Sequence, residues 1–202
     1  MKTNYSIYYS YKTIGDVIII VFDNEKIATS HTRKGPVEII YYNDEVIGYN
    51  IFNIKEIMKI KSCGLIYLPS PTLIEVINNI LENNGVEKLA PVLHSGYYIG
   101  QVSDVISLNE SKNFIVINLD NEIINVISKC QILKANDKVV VAKAGTRLST
   151  GEIVKEGVFE GTLLNGHLCT NYELGLYDGE DQVLVIDESM PIGKDFFNTE
   201  VM

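Results

Sequence analysis

Lys138 to Leu176 reads KVVVAKAGTRLSTGEIVKEGVFEGTLLNGHLCTNYELGL, and this stretch decides the fold. Its apolar run, Val139-Val140-Val141-Ala142, lies between Lys138 and Lys143 and is broken by Ala144-Gly145-Thr146. A short β-branched run bounded by turn residues predicts a buried strand. Gly161, Asn165 and Gly166 punctuate the next extended stretch, and Glu173-Leu174-Gly175-Leu176 closes it. Short strands separated by glycine-bearing turns predict a small closed β-barrel rather than a helical or α/β domain.

Outward from this stretch the chain alternates strands and turns. Tyr97–Leu108, Asn113–Leu119 and Glu122–Lys129 read as strands leading into Lys138. The N-terminal half reads as strands followed by two helices. Tyr5–Tyr11 is aromatic-rich, and Val17–Phe22 is a solid apolar run expected to be buried on both faces. Lys26–Thr32 is a plausible partner for that run across an Asp23-Asn24 turn, and Val37–Tyr42 with Val46–Phe52 predicts a hairpin around Asn43-Asp44. Asn53 is expected to cap a short helix through Ile60. A second helix is expected over residues 71–84, with Ser70 as cap, Pro71 in the first turn, Leu73, Ile74, Ile77, Ile80 and Leu81 as its apolar stripe, and Gly85 just past its end. The expectation is therefore a mainly β chain with a few helices: a small α+β domain over 1–90, of unassigned role, and a barrel over 91–202.

Composition narrows the class. Hydrophobic residues make up 46% and charged residues 21%, as in globular proteins. No apolar run approaches the roughly 18 residues that span a membrane, and MKTNYSIYYSYK has no signal-peptide pattern. Cys63, Cys130 and Cys169 are odd in number and far apart, which fits a reducing cytoplasm better than a disulfide framework. His31, His94 and His167 are scattered, so no metal site is expected. The net charge of −9 is concentrated: residues 173–202 carry eight acidic side chains and one basic, Lys194. That segment reads as a solvated tail, or alternatively as one that repels phosphate and limits non-specific binding. Asp178, Glu180 and Asp181 read as an acidic loop rather than a cation site. No GxSxG, P-loop or HExxH motif occurs, and Cys169 reads as buried packing, so neither catalysis nor a cofactor is expected.

The opening stretch resembles the tRNA-binding oligonucleotide-fold (OB-fold) domain of bacterial phenylalanyl- and methionyl-tRNA synthetases, which also occurs in stand-alone proteins. The resemblance rests on Lys138, Val139, Val141, Ala142, Gly145, Leu148, Gly151, Phe159, Gly161, Gly166, Leu168, Cys169 and Glu173–Leu176. Gly48–Asn53 and Asn84–Glu87 resemble the N-terminal domain of the stand-alone YtpR-type group. The resemblance implies a five-stranded OB-fold barrel, a non-catalytic tRNA- or RNA-binding role, and a possible homodimer. An OB-fold holds single strands on one sheet face with basic groups for phosphate and apolar surface for bases. The candidate RNA-binding residues are Lys112, Lys129, Lys138, Lys143 and Arg147, with Lys134 and Lys155 beside them; Asn165, Gly166 and His167 are placed on the binding face by the resemblance.

The chain departs from the family at Glu160, Leu164 and His167, where Arg, Ser and Met are usual. Leu108–Asn113 replaces the family's His-Pro-Asn-Ala-Asp-Lys-Leu motif, and Ser128–Ile132 replaces its Cys-Gly-Ala motif. Scaffold positions are kept while ligand-facing ones change. Two readings follow: weakened or retuned RNA binding, or a protein–protein adaptor on a degenerate barrel.

Overall fold

The computed structural model describes residues 1–61, 63–176 and 180–198. They form two units, Met1–Leu93 and His94–Met202. Both are β-rich with antiparallel sheets.

The first unit runs β1 (Ser6–Tyr9), α1 (Tyr11–Ile14), β2 (Val17–Val21), β3 (Ser30–Lys34), β4 (Val37–Tyr42), β5 (Glu45–Phe52), β6 (Gly64–Leu65) and α2 (Pro71–Asn83). Its sheet has the order β3-β4-β5-β2-β1-β6. Helix α2 forms where the pattern places it. The Ser70 hydroxyl accepts from the Leu73 N–H at 3.2 Å, and Pro71 loses no helical bond at the first position. At the other end Gly85 has φ +62. The Val86 N–H reaches Leu81 O and the Gly85 N–H reaches Glu82 O, the paired bonds of a Schellman stop. Leu73, Ile74, Ile77 and Leu81 pack with Ile7, Ile18, Ile20, Ile39 and Ile51. Each such side chain contributes on the order of 2 kcal/mol by leaving water.

Three expectations are corrected here. The run at β2 is not buried on both faces: Ile18 and Ile20 face the α2 core, while Ile19 and Val21 are half-buried. Strand β2 does not pair with the segment after Asp23-Asn24; its partners are β1 and β5. The tight turn lies later, at Gly35 (φ +57)-Pro36, and joins β3 to β4. The helix expected from Asn53 to Ile60 is one 3₁₀ turn, Ile54–Glu56. Asn53 has φ 62 and makes no side-chain cap, because the Asp16 carboxylate takes the Lys55 N–H instead, at 3.0 and 3.2 Å.

The second unit contains β7 (Tyr97–Asn109), β8 (Lys112–Asn118), β9 (Ile123–Ser128), β10 (Lys138–Lys143), β11 (Gly157–Phe159), β12 (Thr162–Leu164), β13 (Gly166–Leu168) and β14 (Val185–Ile186). The main ladder runs β13-β10-β7-β8-β9, and β14 also pairs with β10. Val139, Val140, Val141 and Ala142 are fully buried, as a central strand requires. The expected closed barrel is corrected to an open ladder. Its end strands β9 and β13 meet through Asn165, whose backbone N–H donates to Asn125 O at 3.3 Å and whose side chain adds two further bonds. Asn165 Oδ1 accepts from the Asn125 N–H at 2.9 Å, and its Nδ2 donates to Ile123 O at 3.0 Å.

The C-terminal segment is not a solvated tail over its described residues 180–198. Val185 and Ile186 pair with Val139 and Lys138. The Gly193 N–H donates to Ile99 O, and the Phe196 N–H to Tyr97 O. Asp195 is buried and accepts from the Ser95 N–H at 2.6 Å and hydroxyl at 2.7 Å. Asp178 lies outside the described residues.

Candidate nucleic-acid interface

Alternation along β8 builds the outer face of the second unit. Asn113, Ile115 and Ile117 point inward and are buried, so Lys112, Phe114, Val116 and Asn118 stand on the other side. Across the ladder Phe114 faces Ile127 and Ile106, and Val116 faces Asn125. The β11–β12 hairpin reaches this face: the Phe159 ring stacks on Phe114 at 6.4 Å and 28°. Asn125 Nδ2 donates to Leu163 O at 3.1 Å and tethers the hairpin to β9. Glu160 (φ 48) and Gly161 (φ 80) form its two-residue turn, the left-handed pair that a tight hairpin of this twist needs. Val158 is 73% exposed and Leu163 46%. Val158 and Leu163 are paired on the opposite side of the hairpin from Phe159, so the β8 face itself carries the half-buried Phe114–Phe159 pair. At one end Asn113 pairs with Ser128, which places Lys112 and Lys129 at neighbouring strand ends. Both are exposed and make no ion pair among the described residues.

Most of the other candidates are engaged within the fold. Lys138 Nζ donates to Met190 O at 2.5 Å and to Glu188 O. Lys143 pairs with Glu122 and lies 4.5 Å above the Tyr98 ring. Arg147 donates to Gly151 O at 3.1 Å. Asn165 uses both ends of its amide on β9. Gly166 is needed for packing, since a Cβ there would lie 2.5 Å from Ile124 Cγ2 and 3.1 Å from Ala142 O. His167 Nε2 lies 2.9 and 3.0 Å from the two Glu173 carboxylate oxygens. Glu173 also accepts from the Thr170 N–H at 2.8 Å. Burial alone would push the Glu173 carboxyl up; the His167 and Thr170 hydrogen bonds outweigh it and hold the pKa below its ordinary value. Burial pushes the Cys169 thiol far up, which suits a packing residue rather than a nucleophile. Lys134 and Lys155 are exposed.

The Phe114–Phe159 pair was missed by sequence reasoning. The alternation of β8 held the signal for Phe114; nothing local in the sequence brings Phe159 over it. A second concavity of about 490 Å³, lined by Ile132, Asn171, Leu176 and Gln182–Val185, carries no cationic side chain among the described residues and does not suit phosphate.

Over 197 residues the chain is 28% identical to the Bacillus subtilis protein named "Putative tRNA-binding protein YtpR", covering 94% of this chain and 98% of that one. The resemblance to YtpR-type proteins holds. Residues 24–90 match the family described as a domain of unknown function, DUF4479. The phenylalanine–tRNA ligase beta subunit of Clostridium acetobutylicum is 35% identical over 91 residues, covering 43% of this chain. That of Buchnera aphidicola (subspecies Schizaphis graminum) is 25% identical over 133 residues, covering 62%. The chain spans only 12% and 16% of those two subunits.

Proposed function

We propose that this chain is a non-catalytic tRNA-binding protein, cytoplasmic and homodimeric, whose residues 91–202 form an OB-type domain that holds RNA on the outer face of β8 and β9. The observation that carries the reading is the Phe114–Phe159 pair next to the exposed Lys112 and Lys129. Aromatic faces accept unstacked bases regardless of sequence, and neighbouring ammonium groups neutralise the phosphates between them. The near full-length likeness to a protein named for tRNA binding supports the same ligand. A stacking platform with flanking cations needs no general acid, base or nucleophile, and the high thiol pKa of Cys169 agrees with a binding role.

The test is a fluorescence titration with tRNA at about 50 and about 200 mM salt, where counterion release is pronounced. Saturable binding that weakens steeply with salt is expected. Lys112→Ala and Lys129→Ala should each flatten the salt slope by roughly one unit. No binding at the lower salt would sink the reading. It would favour a protein adaptor, for which the exposed Val158 and Leu163 and the net charge of −9 are the motives. Sedimentation velocity checks the homodimer, which predicts twice the mass of the 22.6 kDa chain.

A further inference from the structure

A second group of exposed cations lies wholly in the first unit, on α1 and on the stretch after β5. The turn after β5 and the short helix α1 meet here. Asp16 accepts the Lys55 N–H and, at 3.3 Å, the Tyr9 hydroxyl. The Lys55 ammonium lies 4.5 Å above the Tyr11 ring and 3.2 Å from its hydroxyl. Eight residues further on, Cys63 Sγ lies 3.3 Å from Ser10 Oγ. The stretch carrying Lys55, Lys59 and Lys61 is thus tied at both ends to the α1 region, next to Lys12. All four lysines are exposed. Lys12, Lys59 and Lys61 make no ion pair among the described residues. Tyr11 is 51% exposed and Ile57 60%.

The local balance differs from that of the chain. Over 10–16 and 53–61 the acidic residues are Asp16 and Glu56. Asp16 is taken up by backbone and hydroxyl donors, which leaves Glu56 as the exposed acid against four lysines. A net-acidic protein that sets four exposed lysines on two tethered segments, beside a half-exposed tyrosine ring with Lys55 on one face, has the two elements of a single-strand contact, ammonium groups for phosphate and a ring for a base. Dispersed solubilising lysines require neither the grouping nor the ring.

We propose that Tyr11, Lys12, Lys55, Lys59 and Lys61 form a second RNA-binding surface, contacting the phosphate backbone of tRNA. This assigns a role to the first unit and rests on the tRNA-binding reading above.

The experiment compares three full-length proteins in tRNA titrations across the same salt range: the unaltered chain, a patch variant (Lys55→Gln, Lys59→Gln, Lys61→Gln) and a control with equal charge loss elsewhere in the unit (Lys2→Gln, Lys34→Gln, Lys88→Gln). Circular dichroism melts verify that all three are folded. The patch variant should bind about tenfold more weakly near 0.1 M salt, with a salt slope lower by about two to three units, as for three lost phosphate contacts. The control should stay within about twofold of the unaltered chain. Tyr11→Leu, which keeps bulk and removes the aromatic face, should also weaken binding. Unchanged binding by the patch variant, or equal weakening by the control, overturns this proposal and leaves the β8–β9 site standing. Failure of the unaltered chain to bind tRNA overturns both.

Discussion

Asn165 sits where two strand ends meet, and its carboxamide acts there as a peptide group acts elsewhere in the sheet. It accepts from the Asn125 N–H and donates to Ile123 O. Asn165→Ala leaves both backbone groups without their partner, at a cost of about 1–3 kcal/mol. Urea denaturation should show that loss, while tRNA affinity under folding conditions stays unchanged; a ligand-contacting Asn165 would give the reverse. Glu173 carries a pH signature. Its folded pKa lies below the ordinary 4.5, so its stabilisation is fully present above that value and is lost as pH falls through the folded pKa. The unfolding free energy of the native chain should therefore drop as pH falls below about 4.5. Glu173→Gln should be less stable at pH 7 by about 1 kcal/mol and should lose less of its stability on acidification. Equal pH slopes in the two proteins would show that Glu173 is not the group responsible.

In the proposed RNA-binding face, the β11–β12 hairpin is the element that tunes affinity. Its turn places Glu160, exposed, beside that face. Glu160→Arg converts a repelled phosphate into an attracted one and should steepen the salt slope by about one unit. Phe159→Ala removes one side of the stacked pair and should weaken tRNA binding by about 1–3 kcal/mol. The hairpin's edge position predicts a much smaller effect of the same change on stability, checked by thermal melting. Helix α2 and strand β10 were legible in the sequence because their signals are local. Ser70, Pro71 and Gly85 mark the ends of one, and four apolar residues between lysines mark the other. The pairing of β3 with β4 was not legible, because Asp23-Asn24 reads as the turn, whereas the tight turn lies at Gly35-Pro36 and the tertiary sheet selects it. Nor was the engagement of Lys138 and Lys143. An exposed-looking lysine is free or occupied according to residues such as Met190 and Glu122, far away in the chain.

For the whole molecule the decisive question is what its acid excess does. Sequence places that excess at the C-terminus, where a solvated tail would screen phosphate. Residues 180–198 instead complete the second unit. They pair with β10 at Lys138 and Val139 and with β7 at Tyr97 and Ile99, and they draw the Lys138 ammonium onto Glu188 and Met190 carbonyls. Asp195 anchors the arrangement through Ser95 and the Phe197 N–H at 3.0 Å. The two roles predict opposite results for Asp195→Ala. An electrostatic screen would lose one repelling charge, so tRNA affinity would rise and stability would stay unchanged. A structural anchor would strip a buried set of donors of their charged acceptor. That costs on the order of 2–3 kcal/mol, and tRNA affinity would not rise at temperatures where the protein remains folded. The second outcome is expected. Lys138→Ala should behave in the same sense, lowering the melting temperature while leaving the salt slope of tRNA binding near that of the native chain, because its ammonium is held by carbonyls rather than offered to phosphate. A slope flattened by a full unit in Lys138→Ala would return Lys138 to the RNA-binding face and the C-terminal segment to the role of a displaceable cover.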